Sequence, residues 1–506
     1  MKKVTFLLLA YLAALNTFAQ SDTPSFVKDS IDRYINWSIT NWRIPGAAVC
    51  IVKDGKIVLQ KGYGIKEFGL QSEVDANTLF MIGSNTKAIT ATALAILDHE
   101  KKISLDDRVT KWLPSFTLNN ELAGEQAIIR DLLTHRLGFK TFQGDFTYWT
   151  SNLSRQQIIE KMGLVQAPYD FRTRWGYTNA GFVAAGEIIP KATGKQWEDF
   201  LKERIFNPLG MTSTIARSSD LTTAPNKAAA HTMTEGRLIA IPYPQIDNLA
   251  AAGSISSSVA DMSKWVMMLL NNGKYNNNQI VPEAALQQTW FPHSILGNGN
   301  HRFNNGHFNL YGLGWFLEEY SGRKIISHTG GVNGFVTSVT LVPEENLGIV
   351  VLTNTDQNSF YEALKWEVVD SYLNLPFRNY SKVYLENFKK QRAEELQKDK
   401  ALRDSVTAGQ KARLSLNAYT GKYKNDFYGN LTIEKFGDEL RMTLEHHPRM
   451  FVRLQPLGGD RFYATFSDPA FGTAVFPFSV QGRKVNGITV KVSDFIEYDP
   501  YFFTKQ

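Results

Sequence analysis

The stretch Gly83-Ser84-Asn85-Thr86-Lys87-Ala88-Ile89-Thr90-Ala91-Thr92-Ala93-Leu94-Ala95-Ile96-Leu97 opens with a serine and a lysine and continues as a run rich in alanine, isoleucine and leucine. From Ser84 to Leu97 the pattern predicts a helix apolar on most sides, and such a helix is central and buried. Its first turn carries a serine and, three residues on, a lysine. Residues three apart share a helix face, so Lys87 Nζ can reach Ser84 Oγ. A serine hydroxyl is a poor nucleophile until a base removes its proton. Burial lowers a lysine's pKa and supplies the neutral amine that can do so. Free backbone N–H groups at the helix start add positive potential near a developing oxyanion.

The spacing alone is unspecific. S-x-x-K also occurs at Ser25–Lys28, which opens a surface-type amphipathic helix (Phe26 to Trp37), and at Ser321–Lys324, which precedes a strand. Read by itself, Ser84 is equally an N-cap serine beside a snorkelling lysine. The context comes from the flanks. Ala47 to Val52 and Ile57 to Gln60 bracket Lys53-Asp54-Gly55-Lys56, a strong hairpin signal. A second hairpin runs from Thr337 to Val342 and from Leu347 to Leu352 around Pro343-Glu344-Glu345-Asn346. Strands near both ends with helices between predict an α+β fold: an antiparallel sheet built from both ends, flanking helices and a separate helical cluster.

The chain has 506 residues, 43% hydrophobic and 21% charged. Those proportions exclude a disordered chain, a collagen-like repeat and a coiled-coil rod. The single cysteine, Cys50, excludes an internal disulfide, a Cys-rich zinc site and an iron–sulfur cluster, and inside a strand it reads as core. The net charge of +6 includes Lys2 and Lys3; what remains is a weak field that gives no reason to expect a nucleic-acid partner.

Lys2 and Lys3, the apolar run Val4 to Leu15, and Thr17 and Ala19 around Phe18 read as a secretory signal over 1–19, with a run too short to span a bilayer. The expectation is an exported protein, periplasmic or secreted, with no stable membrane span. A catalytic region follows over 20–380. From Lys382 to Arg413, 14 of 32 residues are charged, which predicts a solvent-exposed helical linker over 381–413. Alternation at Leu431 and Ile433, at Leu440, Met442 and Leu444, and at Ile488, Val490 and Val492 then predicts a small antiparallel β barrel or half-barrel over 414–506. Its aromatics lie at strand spacing and read as core.

Two further elements bear on Ser84. Trp175-Gly176-Tyr177-Thr178-Asn179-Ala180-Gly181 places a tyrosine and an asparagine two apart in a turn before an apolar helix. His328-Thr329-Gly330-Gly331 follows the strand-like Lys324 to Ser327, and its glycines let a ligand approach the backbone closely. The histidines show no H-E-x-x-H or H-x-H pattern. No G-x-S-x-G elbow or phosphate-binding loop is present in the sequence.

S-x-x-K, Y-x-N and [K/H]-T-G, in that order over roughly residues 25 to 375, resemble the serine β-lactamase and penicillin-binding-protein superfamily, in its class C and carboxypeptidase branch. Asp131-Leu132-Leu133-Thr134-His135 and Ala252-Gly253-Ser254-Ile255-Ser256-Ser257 add to the match. The resemblance implies an exported serine hydrolase acting on a β-lactam, a D-amino-acid peptide or an ester, without metal or organic cofactor. Ser84 would be the acylated nucleophile, with Lys87 or Tyr177 as base. Asn179 would orient the substrate amide and hold Lys87, while the backbone of Ser84 and Gly331 forms the oxyanion hole. His328 and Thr329, before Gly330, would face a substrate carboxylate. The alternative is a penicillin or cell-wall sensor that acylates without turnover. The C-terminal region resembles lipocalin-like modules appended to some relatives. The expected partner is a small molecule or short peptide, with cell-wall-derived substrates among the candidates; the oligomeric state stays open.

Two departures matter. His328 stands where many β-lactamases carry lysine, so it is expected to be partly charged and to bind carboxylates weakly, which disfavours penicillins. Leu137 replaces a small hydroxyl residue, and His135 is read as a packed histidine without a role.

Overall fold

The structure is a computed structural model that describes residues 23–299, 301–304 and 306–506; the expected signal segment lies outside them. The first hairpin forms as its turn residues dictate. Strands β1 (Gly46–Lys53) and β2 (Lys56–Gly64) pair antiparallel. Asp54 and Gly55 both take positive φ, 53° and 70°, as the tightest hairpin turns require.

Six later strands join them: β3 (Ser294–Gly297), β4 (Asn309–Tyr311), β5 (Phe316–Tyr320), β6 (Arg323–Val332), β7 (Phe335–Val342) and β8 (Leu347–Thr353). Their order is β2-β1-β8-β7-β6-β5-β4-β3. The early β1 therefore lies against the late β8, with Cys50 opposite Val350, and the sheet is antiparallel and built from both ends as expected.

Alternation along β1 divides the core in two. Ala47, Val49 and Ile51 face helices α1 (Ile31–Trp42) and, later in the chain, α5 (Phe360–Tyr372), meeting Ile35, Leu364 and Val368. Ala48, Cys50 and Val52 face the helical cluster of α2 (Thr86–His99), α3 (Asn179–Thr193) and α4 (Val259–Leu270). Burial on both sides explains why β1 is an unbroken apolar run. In α2, Ile89, Leu94, Ile96 and Leu97 are fully buried, each contributing about 1.5–3 kcal/mol. The α-helix starts two residues later than expected, because Gly83–Asn85 form a 3₁₀ turn. Of the residues from Met81 to Leu97, Ser84 alone is not buried.

Helix α6 (Tyr380–Thr407) is exposed over most of its length but fastened at both ends. Tyr380 is buried and donates to Asp370 of α5 at 2.7 Å. Asp399 accepts from Tyr463 of the C-terminal region at 2.6 Å. That region is a closed eight-stranded antiparallel barrel of β9 (Gly421–Asn425), β10 (Gly429–Phe436), β11 (Glu439–Leu444), β12 (Phe451–Pro456), β13 (Arg461–Phe466), β14 (Thr473–Gln481), β15 (Lys484–Val490) and β16 (Tyr501–Lys505). Tyr423, Tyr428, Phe462, Phe476 and Phe503 fill its core. Val492 lies just past β15 rather than within it. No described helix is long and apolar enough to cross a membrane.

Candidate active site

Glycines place Ser84 directly on the sheet. Gly83 has a left-handed φ of 52°, and a Cβ there would stand 3.0 Å from Gly331 N. A Cβ on Gly330 would stand 1.9 Å from the Ile82 carbonyl oxygen. No side chain fits between the turn and β6. Thr337 Oγ1 on β7 donates to that same carbonyl at 2.9 Å and accepts from Asn85 Nδ2 at 2.9 Å. The carbonyl is thereby satisfied, and the turn before α2 is tied to two strands.

Lys87 is fully buried and makes three contacts. Its Nζ lies 3.1 Å from Ser84 Oγ, 2.7 Å from Asn179 Oδ1 and 2.8 Å from the main-chain oxygen of Ala252. Burial pulls its pKa down to about 7, with the Asp145 carboxyl acting in the opposite sense. Tyr177, in the loop just before α3, is also buried, and it lines the same cleft as Ser84. Burial pushes the Tyr177 pKa up; the Ser84 side chain opposes this and Asp145 adds to it. One environment thus favours neutral lysine and neutral tyrosine.

His328 departs from expectation. It sits within β6, almost wholly buried, and burial lowers its pKa to about 3, helped by Lys87 and opposed by the Thr329 carbonyl. Nδ1 lies 2.6 Å from the Thr329 carbonyl oxygen and Nε2 3.1 Å from the Tyr311 hydroxyl. The carbonyl can only accept, so Nδ1 carries the proton and Nε2 accepts from Tyr311. The imidazole is neutral at neutral pH, and both ring nitrogens are engaged. His135 is packed as expected, with its ring 4.3 Å from that of Tyr177 and its Nδ1 accepting from Thr178 N–H at 3.2 Å.

Ser84, Tyr177, Asn179, His328, Thr329, Gly330 and Gly331 line one cleft of about 430 Å³. Its walls are aromatic, including Phe142, Trp149, Trp175, Phe316 and Tyr361, and no lysine or arginine is among its described lining residues. Asp356 and Asp494 are, and burial raises Asp356 to about 6.

Three contributors emerge only from the folded structure. Asp145 Oδ2 accepts from Asn179 Nδ2 at 2.7 Å, which turns the amide oxygen towards Lys87; nothing in the sequence marks this aspartate. The Ala252 carbonyl lies in the Ala252–Ser257 stretch, whose sequence matches the family without marking a main-chain oxygen for Lys87. Residues 494–496 and 498 of the barrel close one side of the cleft, which no local pattern could reveal.

Comparison with known proteins agrees with this architecture. The profile of the family described as Beta-lactamase matches residues 31–374. A profile for a domain of unknown function, DUF3471, matches residues 406–505. An unguisins hydrolase of Aspergillus campestris is 27% identical over 430 residues, covering 81% of this chain and 77% of its own. The protein flp of Staphylococcus aureus is 26% identical over 332 residues, covering 65% of this chain and 63% of its own. The fold is similar to that of an octameric penicillin-binding protein homologue from Pyrococcus abyssi, with a TM-score of 0.59 at 21% identity, over 94% of this chain and 99% of that one. It is also similar to a D-amino acid amidase from Ochrobactrum anthropi, with a TM-score of 0.56 at 23% identity, over 69% of this chain and 97% of that one. With the family profile spanning about two thirds of the sequence over this fold, the chain belongs to the Beta-lactamase family and is a hydrolase carrying a C-terminal β barrel.

Proposed function

We propose that this protein is an exported serine hydrolase that cleaves amide or ester bonds through an acyl-enzyme on Ser84, with Lys87 as the base. The observation that carries the reading is the coordination of Lys87 Nζ. Two of its neighbours, Asn179 Oδ1 and the Ala252 oxygen, can only accept, whereas Ser84 Oγ can donate. A neutral amine has two N–H bonds for the first two and a lone pair for the third. The Ser84 proton then passes to Lys87 as Oγ bonds to the carbonyl carbon and the carbonyl π electrons move to oxygen. Backbone N–H groups of Ser84 and Gly331 are the assigned oxyanion donors. As the tetrahedral adduct collapses, Tyr177 hands its proton to the leaving group and regains one from Lys87. Water repeats the sequence to release the acid.

The cleft supports a substrate with an apolar or aromatic group and no carboxylate beside the scissile bond. Neutral His328 and a described lining without lysine or arginine offer no cation to pair a carboxylate. The D-amino acid amidase among the fold neighbours supports amide substrates, and the hydrolase name of the fungal relative supports hydrolysis. The test is intact-protein mass spectrometry with a nitrophenyl ester, a D-amino-acid amide and a penicillin, beside Ser84→Ala. A transient adduct confined to wild type with the first two supports the reading. A lasting penicillin adduct without release would replace it with a sensor, and turnover by Ser84→Ala would end it.

A further inference from the structure

We propose that Glu497, supplied by the C-terminal barrel, is a positioning residue for the catalytic lysine. It sits between β15 and β16 and is 1% exposed. Its carboxylate grips the other domain through two main-chain donors. Gly144 N–H donates to Oε1 at 2.9 Å and Phe146 N–H to Oε2 at 2.8 Å. Tyr501 of β16 donates its hydroxyl to Oε2 at 2.9 Å. The residue held between those two N–H groups is Asp145, whose carboxyl fixes the Asn179 amide so that its oxygen meets Lys87. The connection runs from Glu497 through the Gly144–Phe146 backbone to Asp145, Asn179, Lys87 and Ser84, with each link between 2.7 and 3.1 Å.

The same segment is anchored by packing. Phe146 lies in the barrel core, stacked 4.8 Å from Tyr428 and edge-on to Tyr501 at 5.2 Å. His447 Nε2 lies 2.9 Å from the Trp149 carbonyl oxygen. Packing alone would fix where the segment lies. The carboxylate fixes how its peptide groups are turned, and hence where the Asp145 side chain points. If Asn179 rotated by half a turn it would offer Lys87 an NH₂ group, and the amine could no longer direct its lone pair at Ser84.

This inference rests on the reading of Ser84 as nucleophile and Lys87 as base. The experiment uses full-length protein and two readouts: the rate of Ser84 labelling by a fluorophosphonate, and kcat and KM for a nitrophenyl ester. The variants are Glu497→Gln, Tyr501→Phe, Asp145→Ala and the double variant Glu497→Gln/Asp145→Ala. Lys140→Ala is the control, because Lys140 pairs with Asp499 across the same interface at 3.1 Å without touching Asp145. Glu497→Gln places an NH₂ against one main-chain N–H. Labelling and kcat are expected to fall tenfold or more with KM within twofold, and Tyr501→Phe to fall less in the same direction. Adding Glu497→Gln to Asp145→Ala should change kcat by less than twofold, and Lys140→Ala should keep wild-type kcat. Wild-type labelling in Glu497→Gln overturns the proposal. If that variant does not fold, wild-type labelling in Tyr501→Phe overturns it. Multiplying effects in the double variant, or an equal loss in Lys140→Ala, reduces Glu497 to an interface contact and also overturns it. Failure of the wild type to label at Ser84 removes the underlying reading and this inference together.

Discussion

Lys87 Nζ lies 4.6 Å from the centre of the Tyr177 ring, so the two side chains able to take the Ser84 proton share one buried site. Burial drives them apart in acidity: the ammonium loses its proton more readily, the phenol less. In the proposed mechanism this leaves the amine as base and the phenol as donor, which favours Lys87 for the first step.

Acylation should therefore rise with pH. Lys87 is protonated below about pH 7, and the rate should fall about tenfold per unit below that point and level off above it. Stability carries the same sign. The unfolded lysine holds its proton up to its ordinary 10.5, so this group's contribution increases from about pH 7 upward. A kcat/KM profile between pH 5 and 9 checks the first expectation, and chemical denaturation over the same range checks the second.

Ser84→Ala should lower kcat/KM for a nitrophenyl ester by about 10⁴-fold or more. The residue is partly exposed in the 3₁₀ turn before α2, so its loss leaves the core untouched and the melting temperature should move by no more than about 2 °C. Melting and turnover measured on one preparation separate the two effects.

Penicillin G methyl ester should acylate Ser84 at least about tenfold faster than penicillin G, a difference of ~1.4 kcal/mol. The free carboxylate would enter a cleft whose described lining offers Asp356 and Asp494 and no fixed cation. Adduct formation followed by mass spectrometry gives the ratio. By nuclear magnetic resonance, the His328 imidazole should stay neutral from pH 8 down to about 4, since burial holds it near 3.

Gly330→Ala should destabilise the fold by about 1–3 kcal/mol and slow acylation. The added carbon would stand 1.9 Å from the Ile82 oxygen and push the Ser84 turn off β6. Gly459→Ala is the contrast: its φ is 64°, but nothing crowds the added carbon, so it should cost about 1–2 kcal/mol from backbone strain alone and leave kcat unchanged.

Features set by neighbours along the chain are legible in the residues themselves. Three-residue spacing put Lys87 on the same face as Ser84 because helical geometry is local. Asp54-Gly55 made a hairpin because the left-handed turn conformation is carried by those residues. An unbroken apolar run made α2 central, and period-two alternation marked the barrel strands. Tertiary structure decided the rest. The second and third partners of Lys87 come from 92 and 165 residues away, and Gly144 and Glu497 meet across 353. Whether His328 is charged was equally beyond the motif. An imidazole's pKa follows its loss of water and its neighbours' dipoles, and here Tyr311 and the Thr329 carbonyl fill the places a substrate carboxylate would need. Hydrogen-bond partners and desolvation are properties of packed neighbours, and only folding brings those neighbours together.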